Sequence, residues 1–282
     1  MAIVNSRAAI EPKTGKAAIF VNETIHSLIR KLFANNEQGF AYDPNDLSTM
    51  FQDAAGTVPV TGTGQPVGLI LDKSGRGNHA SQTTSASRPI LRQNAATGAY
   101  YLEFDGSDDF LQTSNIDFTG TNKMSLFAGL NRTGNATIGT VLETGANYTT
   151  PTGGFAIQSP TAAGLNSVNL LASSVGATVI VAGVGTPDVF TYAGFIDLSK
   201  TTAKDQLKVR VNGAYDKASR MNLAGNGNFA NVPVYIGRRG GTTQPFNGHI
   251  YSLIGVGRLT SEDEAAAIEK ELAKRTGVTL SV

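Results

Sequence analysis

Glu103-Phe104-Asp105-Gly106-Ser107-Asp108 is the stretch of this chain that comes nearest to a catalytic arrangement. Carboxylates at alternate positions of a strand share one face, where an acid and a base flank a glycosidic oxygen. Glu103 and Asp108 are the candidate pair for such a reaction. Asp105-Gly106 is also a strong turn dipeptide, which bends the strand between them. In that geometry Asp105, Asp108 and Asp109 cap the amides of a hairpin, and the chain is expected not to be an enzyme.

Oxygen-bearing loop residues offer a second chemistry. Asp72, Asn78, Asp105, Asp108 and Asp109 are of the ligand type that calcium takes. The spacing is not that of an EF-hand, and Asp105, Asp108 and Asp109 form the tightest candidate set. The three histidines are His26, His79 and His249. No two stand at i, i+4 and the chain has no cysteine, which argues against zinc. Asp72, Asn78 and His79 bound a glycine-rich turn and are candidate ligand-binding groups. Sugar stacking needs aromatic faces. With no Trp, the platforms are Tyr42, Tyr148, Tyr192, Tyr215 and Tyr235, of which Tyr148 and Tyr192 are the candidate ligand contacts. Arg238-Arg239 beside Gly240-Gly241 reads as a small solvated basic loop. Neither a nucleophile elbow nor a phosphate-binding glycine loop is present.

The elements that carry these residues are mostly strands. The 282 residues include 32 Gly, with only 16% charged residues, a mix that suits strands joined by tight turns. Tyr100–Phe104 runs into Asp105-Gly106, and Phe110-Leu111 opens the next strand. Further strands are expected at 123–130, 137–144, 153–158, 166–172, 189–197, 206–212, 232–237 and 247–256. A run of strands without intervening helices predicts an antiparallel sandwich. Two helices frame it. Ile25, Leu28, Ile29, Leu32 and Phe33 make one apolar stripe over 22–35, with Asn22 as the expected N-cap. Near the other end, Ser261 and Glu264 have capping-box spacing, Gly277 is the expected stop, and Glu271 stands four residues before Arg275. That helix is expected over one end of the sandwich.

Several of these segments together resemble a known family. Residues 40–53 (FAYDPNDLSTMFQD), Gly64–Gly68, Leu71–Ala80, Arg88-Pro89 and the hairpin Leu102–Leu111 are similar to laminin-G-like, concanavalin A-type domains encoded by phages and prophages. The segment Phe246–Ile254 and the acidic-start helix after it are similar too. The resemblance covers 40–113 and 246–280, and leaves 1–39 uncovered. It implies an all-β, two-sheet jelly roll placed on a virion, and domains of this kind often hold one calcium at a loop end. Some concanavalin-type hydrolases carry E-x-D-x-x-E. Here the last acid is Asp108, and a turn interrupts the strand.

The expected organisation is an N-terminal arm and helix over 1–39, for virion attachment or oligomerisation through the apolar stripe, and a sandwich over 40–282. The expected function is a fibre, spike or decoration protein that touches host surface polysaccharide, with a lectin-like receptor binder and a polysaccharide depolymerase as alternatives. Partners would be other virion proteins and sister chains, a trimer among the options. A net charge of +1 argues against duplex nucleic acid, and no apolar run reaches membrane-helix length. The N-terminus lacks the plan of a secretory signal, so the protein is expected to be made in the host cytoplasm and released by lysis.

Overall fold

The computed structural model describes residues 8–10, 17–19, 23–150, 152–173, 180–215, 220–221 and 227–281. Within the expected arm, Ala8–Ile10 pairs antiparallel with Ala17–Ile19. The other residues of 1–22 lie outside the described residues, Asn22 included.

The chain is an all-β, two-sheet antiparallel jelly-roll sandwich with short helices added. One sheet has eight strands. Seven lie side by side in the order Ala214–Tyr215, Leu207–Val211, Val189–Asp197, Lys123–Arg132, Asn247–Val256, Tyr100–Asp105 and Ile90–Gln93, and Gly39–Tyr42 pairs with Asn247–Val256. The other has ten, in the order Arg220–Met221, Ile180–Gly185, Ser167–Ala172, Phe155–Gln158, Thr140–Thr144, Asn231–Ile236, Leu111–Asp117, Ala80–Ser81, Leu69–Ile70 and Met50–Phe51. The expected strands fall within a few residues of those observed. Ile180–Gly185 and the four-residue helix Ala203–Gln206 are additions.

Register decides which side chains meet. Leu102 stands opposite Ile250, and Leu142 opposite Ile236, which in turn faces Leu111. These rows point inward with Phe40, Met50, Phe104, Phe155 and Phe190 to form the core between the sheets. The adjacent rows point outward. Glu103 is opposite His249 on the eight-stranded sheet, and Glu143 opposite Tyr235 on the ten-stranded one.

Both longer helices pack on the outer face of the eight-stranded sheet, not over one end of the sandwich. The reason lies in strands that are apolar on both sides: Phe127, Ala193, Phe195, Ile254 and Val256 face outward and need cover. The helix Ile25–Leu32 and the helix Glu262–Thr276 supply it through Ile25, Leu28, Ile29, Leu32, Phe33, Ala265, Ile268 and Leu272. The stripe Ile25, Leu28, Ile29, Leu32 and Phe33 is thus at most 5% exposed, so it is no open attachment or oligomer surface. Its N-cap is Thr24, not Asn22, because Thr24 and Ser27 satisfy each other's amides. Ser261 and Glu264 form the expected capping box, and Gly277 closes the helix at φ 81°. The Glu271 carboxylate pairs with Lys274 rather than Arg275. Arg275 instead reaches Asp43, donating from Nη2 to Oδ2 at 3.1 Å. Arg258 ties the segment after the first helix to the start of the second, with its guanidinium on Glu37 (3.1 Å) and bidentate on Glu264 (2.7 and 2.9 Å). None of the described helices is long and apolar enough to cross a membrane.

Candidate ligand-binding surface

Glu143 sits on the outer face of the ten-stranded sheet yet has no exposed surface. A carboxylate there must be paired or it would not stay charged. Two loops fold back over the sheet from opposite directions and meet on it. From one, the Tyr148 amide donates to Oε1 at 2.9 Å. From the other, Arg239 Nε donates to both carboxylate oxygens at 3.0 and 3.2 Å. Burial pushes the Glu143 carboxyl up, opposed by the Tyr148 amide and the Arg239 charge. The Arg239 guanidinium lies 5.4 Å from the Tyr148 ring centroid, a cation–π contact.

Local sequence shapes both loops. Asn147 accepts from the amide and hydroxyl of Thr149 at 3.1 and 3.0 Å, an Asx turn that lifts Tyr148 toward Glu143. The Arg239 loop closes through a bridge between Arg239 and Thr243. Gly240 and Gly241 have φ of 52° and 68°, and a Cβ on either would lie 2.7 Å from the Ala146 carbonyl oxygen or 2.8 Å from the Phe110 ring. Only glycine lets the loop settle between its neighbours. Tyr235, beside Glu143 across the ladder, stands 6.4 Å from Phe110 ring to ring. Tyr148, Tyr235 and Phe110 are all half-buried, so the latch carries three aromatic rings that partly face solvent.

The Asp105–Asp109 hairpin borders this surface, and Arg238 Nη1 reaches the Asp108 carbonyl oxygen at 3.5 Å. As expected for a turn, Asp105 Oδ1 accepts from the Ser107 amide at 2.8 Å, and Asp109 Oδ2 from the Asp105 amide at 3.0 Å. Asp108 accepts from the Ser87 hydroxyl at 2.6 Å. One carboxylate oxygen from each of Asp105, Asp108 and Asp109 lies within 4.8 Å of the others, close enough to share one calcium. Burial, with the charges of Asp105, Asp108 and Glu103 adding to it, pushes Asp109 up to about 6.

The other candidates are dispersed. Glu103 projects from the opposite sheet and accepts from Arg92 Nε at 2.5 Å, so Glu103 and Asp108 each serve a structural partner. Asp72 is a buried staple: its carboxylate accepts from the amides of Ala41 (2.8 Å), Ser74 (2.8 Å) and Asn78 (3.0 Å). His79 Nδ1 accepts from the Asp72 amide at 2.9 Å, and Asn78 donates to the Gly39 carbonyl at 2.7 Å. Asp72, Asn78 and His79 therefore hold a turn. Tyr192 belongs to the sandwich core with no exposed surface, which removes it as a ligand platform; its strand is buried on both faces. Arg239 is not solvated but paired with Glu143. The sequence does not single out Glu143, and it marks Arg239 only as part of a basic loop and Phe110 only as the start of a strand. The available signal was a lone acid after Thr140-Val141-Leu142, which calls for a buried cation.

No family model and no curated protein sequence matches the chain. Solved structures do. The botulinum neurotoxin serotype G binding domain is similar with a TM-score of 0.52 at 10% identity, over 71% of this chain and 48% of that one. The serotype D ligand binding domain in complex with N-acetylneuraminic acid is similar at 0.52 and 9% identity, over 86% of this chain and 52% of that one. The chain thus spans about half the length of these domains. At such identity the likeness shows the fold alone, the two-sheet antiparallel sandwich.

Proposed function

We propose that the chain is a non-catalytic adhesion module on the surface of a bacteriophage particle, binding host surface polysaccharide through the loops around Tyr148. The observation that carries this is the latch itself: a half-exposed tyrosine ring held by Arg239 over buried Glu143, with Tyr235 and Phe110 beside it. Fixing aromatic faces before the ligand arrives lowers the ordering cost of binding, and sugar rings stack on such faces. The motif series over 40–113 supports the phage setting. A similar structure solved with N-acetylneuraminic acid supports a sugar as the ligand class. Attachment to other virion proteins falls to residues 1–22, since the helix stripe is used within the chain. Calcium, if taken up, would be held by Asp105, Asp108 and Asp109, whose carboxylates lie within 4.8 Å of one another, and would steady the hairpin beside the latch.

The test is co-sedimentation of the purified chain with host surface polysaccharide, with reducing ends assayed on the same sample. Retention without new reducing ends is expected, weakened roughly tenfold in Tyr148→Ala. No retention would reject adhesion. New reducing ends that vanish in Glu103→Gln would make the chain a depolymerase instead.

A further inference from the structure

A second ring cluster lies on the outer face of the eight-stranded sheet, across the sandwich from the Tyr148 loops. Four neighbouring strands contribute to it. Arg92 stands opposite Tyr101, and His249 opposite both Glu103 and Asn131. The Tyr101 and His249 rings stack at 4.1 Å with 20° between their planes, and Tyr251 tilts against Tyr101 at 5.1 Å. Polar groups surround the rings. Arg92 donates to Glu103, and the Asn131 amide lies 3.2 Å from His249 Nδ1. The C-terminal helix forms a wall on one side. Its last turn covers Gly129 and Tyr251, where a Cβ on Gly129 would meet Thr276 at 3.0 Å and Tyr251 at 3.2 Å. Beyond that wall Tyr101, Glu103, Asn131 and His249 remain half-exposed.

An outward row on a solvated sheet needs only small polar or long charged residues. Here it carries stacked rings, an amide and an ion pair on one ledge. We infer that this ledge is a second carbohydrate subsite, taking one uncharged sugar ring against Tyr101 and His249 with its hydroxyls on Glu103, Arg92 and Asn131. The choice of an uncharged ring follows from the side chains. Arg92 and Glu103 cancel, and burial lowers the basicity of His249, which keeps the imidazole neutral at neutral pH. Rings with balanced donors and acceptors suit a polyhydroxyl ligand. The inference rests on the adhesion reading and deepens it: subsites on opposite faces let one module hold two glycan chains, which raises avidity without tighter single contacts.

Aromatic-ring NMR of the full chain, titrated with methyl glucoside, methyl galactoside, methyl mannoside and N-acetylneuraminic acid, tests it. At least one neutral glycoside is expected to shift the Tyr101 and His249 ring signals saturably, and more strongly than the charged sugar does. Tyr101→Ala is expected to weaken that binding roughly tenfold while Tyr101→Phe retains it. Asn131→Ala removes a hydroxyl partner along with the contact to His249 Nδ1; it is expected to weaken binding too, with the ring signals of the sugar-free variant reporting that the Tyr101–His249 stack persists, which separates sugar contact from packing. Shifts confined to Tyr148 and Tyr235 would overturn the subsite and leave the adhesion reading standing. Shifts confined to Tyr101 and His249 would support the subsite and move adhesion away from the loops. No shift with any sugar would overturn both.

Discussion

Glu143 and Asp109 are both buried acids, and what surrounds each decides its behaviour. Glu143 has a cation and a backbone amide, and removing it leaves the largely covered Arg239 without its carboxylate partner. Glu143→Ala is expected to cost about 3 kcal/mol of stability by urea unfolding. Glu143→Gln, which keeps an acceptor for the Tyr148 amide, is expected to cost less. Asp109 has neighbours of its own sign. Burial pushes its carboxyl up to about 6 in the folded chain, against about 3.9 in an unfolded one. The folded state therefore holds the extra proton between those values. Stability falls as pH rises through that window, and the penalty is complete above it. Urea unfolding at pH 4 and pH 8 is expected to show this slope in the parent chain and a flatter one in Asp109→Asn.

At the scale of elements, the two longer helices turn a two-layer sandwich into three layers along one sheet. Their apolar faces share a cluster with Phe127, Phe195 and Ile254, distinct from the core between the sheets. Leu32 lies in the middle of that cluster, 1% exposed. Leu32→Ala is expected to cost about 3 kcal/mol, read as a lower Tm by calorimetry. The amphipathic stripe was plain in the sequence because its period is local. Its partner was not, since a stripe of this kind suits a neighbouring chain as well as a sheet. Two-sided apolar strands such as Lys123–Arg132 settled the matter. Arg275 repeats the lesson: helical spacing offered Glu271, and the fold supplied Asp43.

For the whole molecule, the apolar stripe of the first long helix is spent on the eight-stranded sheet, and the proposed attachment to particle partners is assigned to residues 1–22. Removal of 1–22 is expected to abolish the self-association proposed for the full chain, read by light scattering on both. A truncated chain that keeps the oligomeric mass of the full one would place that contact on the sandwich. The two ring clusters stand on opposite outer faces, so polysaccharide cross-linking, visible as turbidity, is expected of the full chain and should disappear when either Tyr148 or Tyr101 is changed to Ala.

The sequence by itself determined what is encoded within a few residues: the antiparallel strands, the Asp105-Gly106 turn, the Ser261–Glu264 cap, the Gly277 stop and hence the all-β class. It also placed Asp105, Asp108 and Asp109 together, because a hairpin is a local structure. Tertiary structure decided which distant residues share a neighbourhood. Glu143 meets Arg239 across 96 positions, and Arg275 meets Asp43 across 232. Alternation along a strand divides its residues between two faces. Which face is buried, and which strand lies alongside, depends on how the whole chain buries its apolar area. That is why Tyr192 went to the core, and why Tyr101 and His249 came to lie together at the surface.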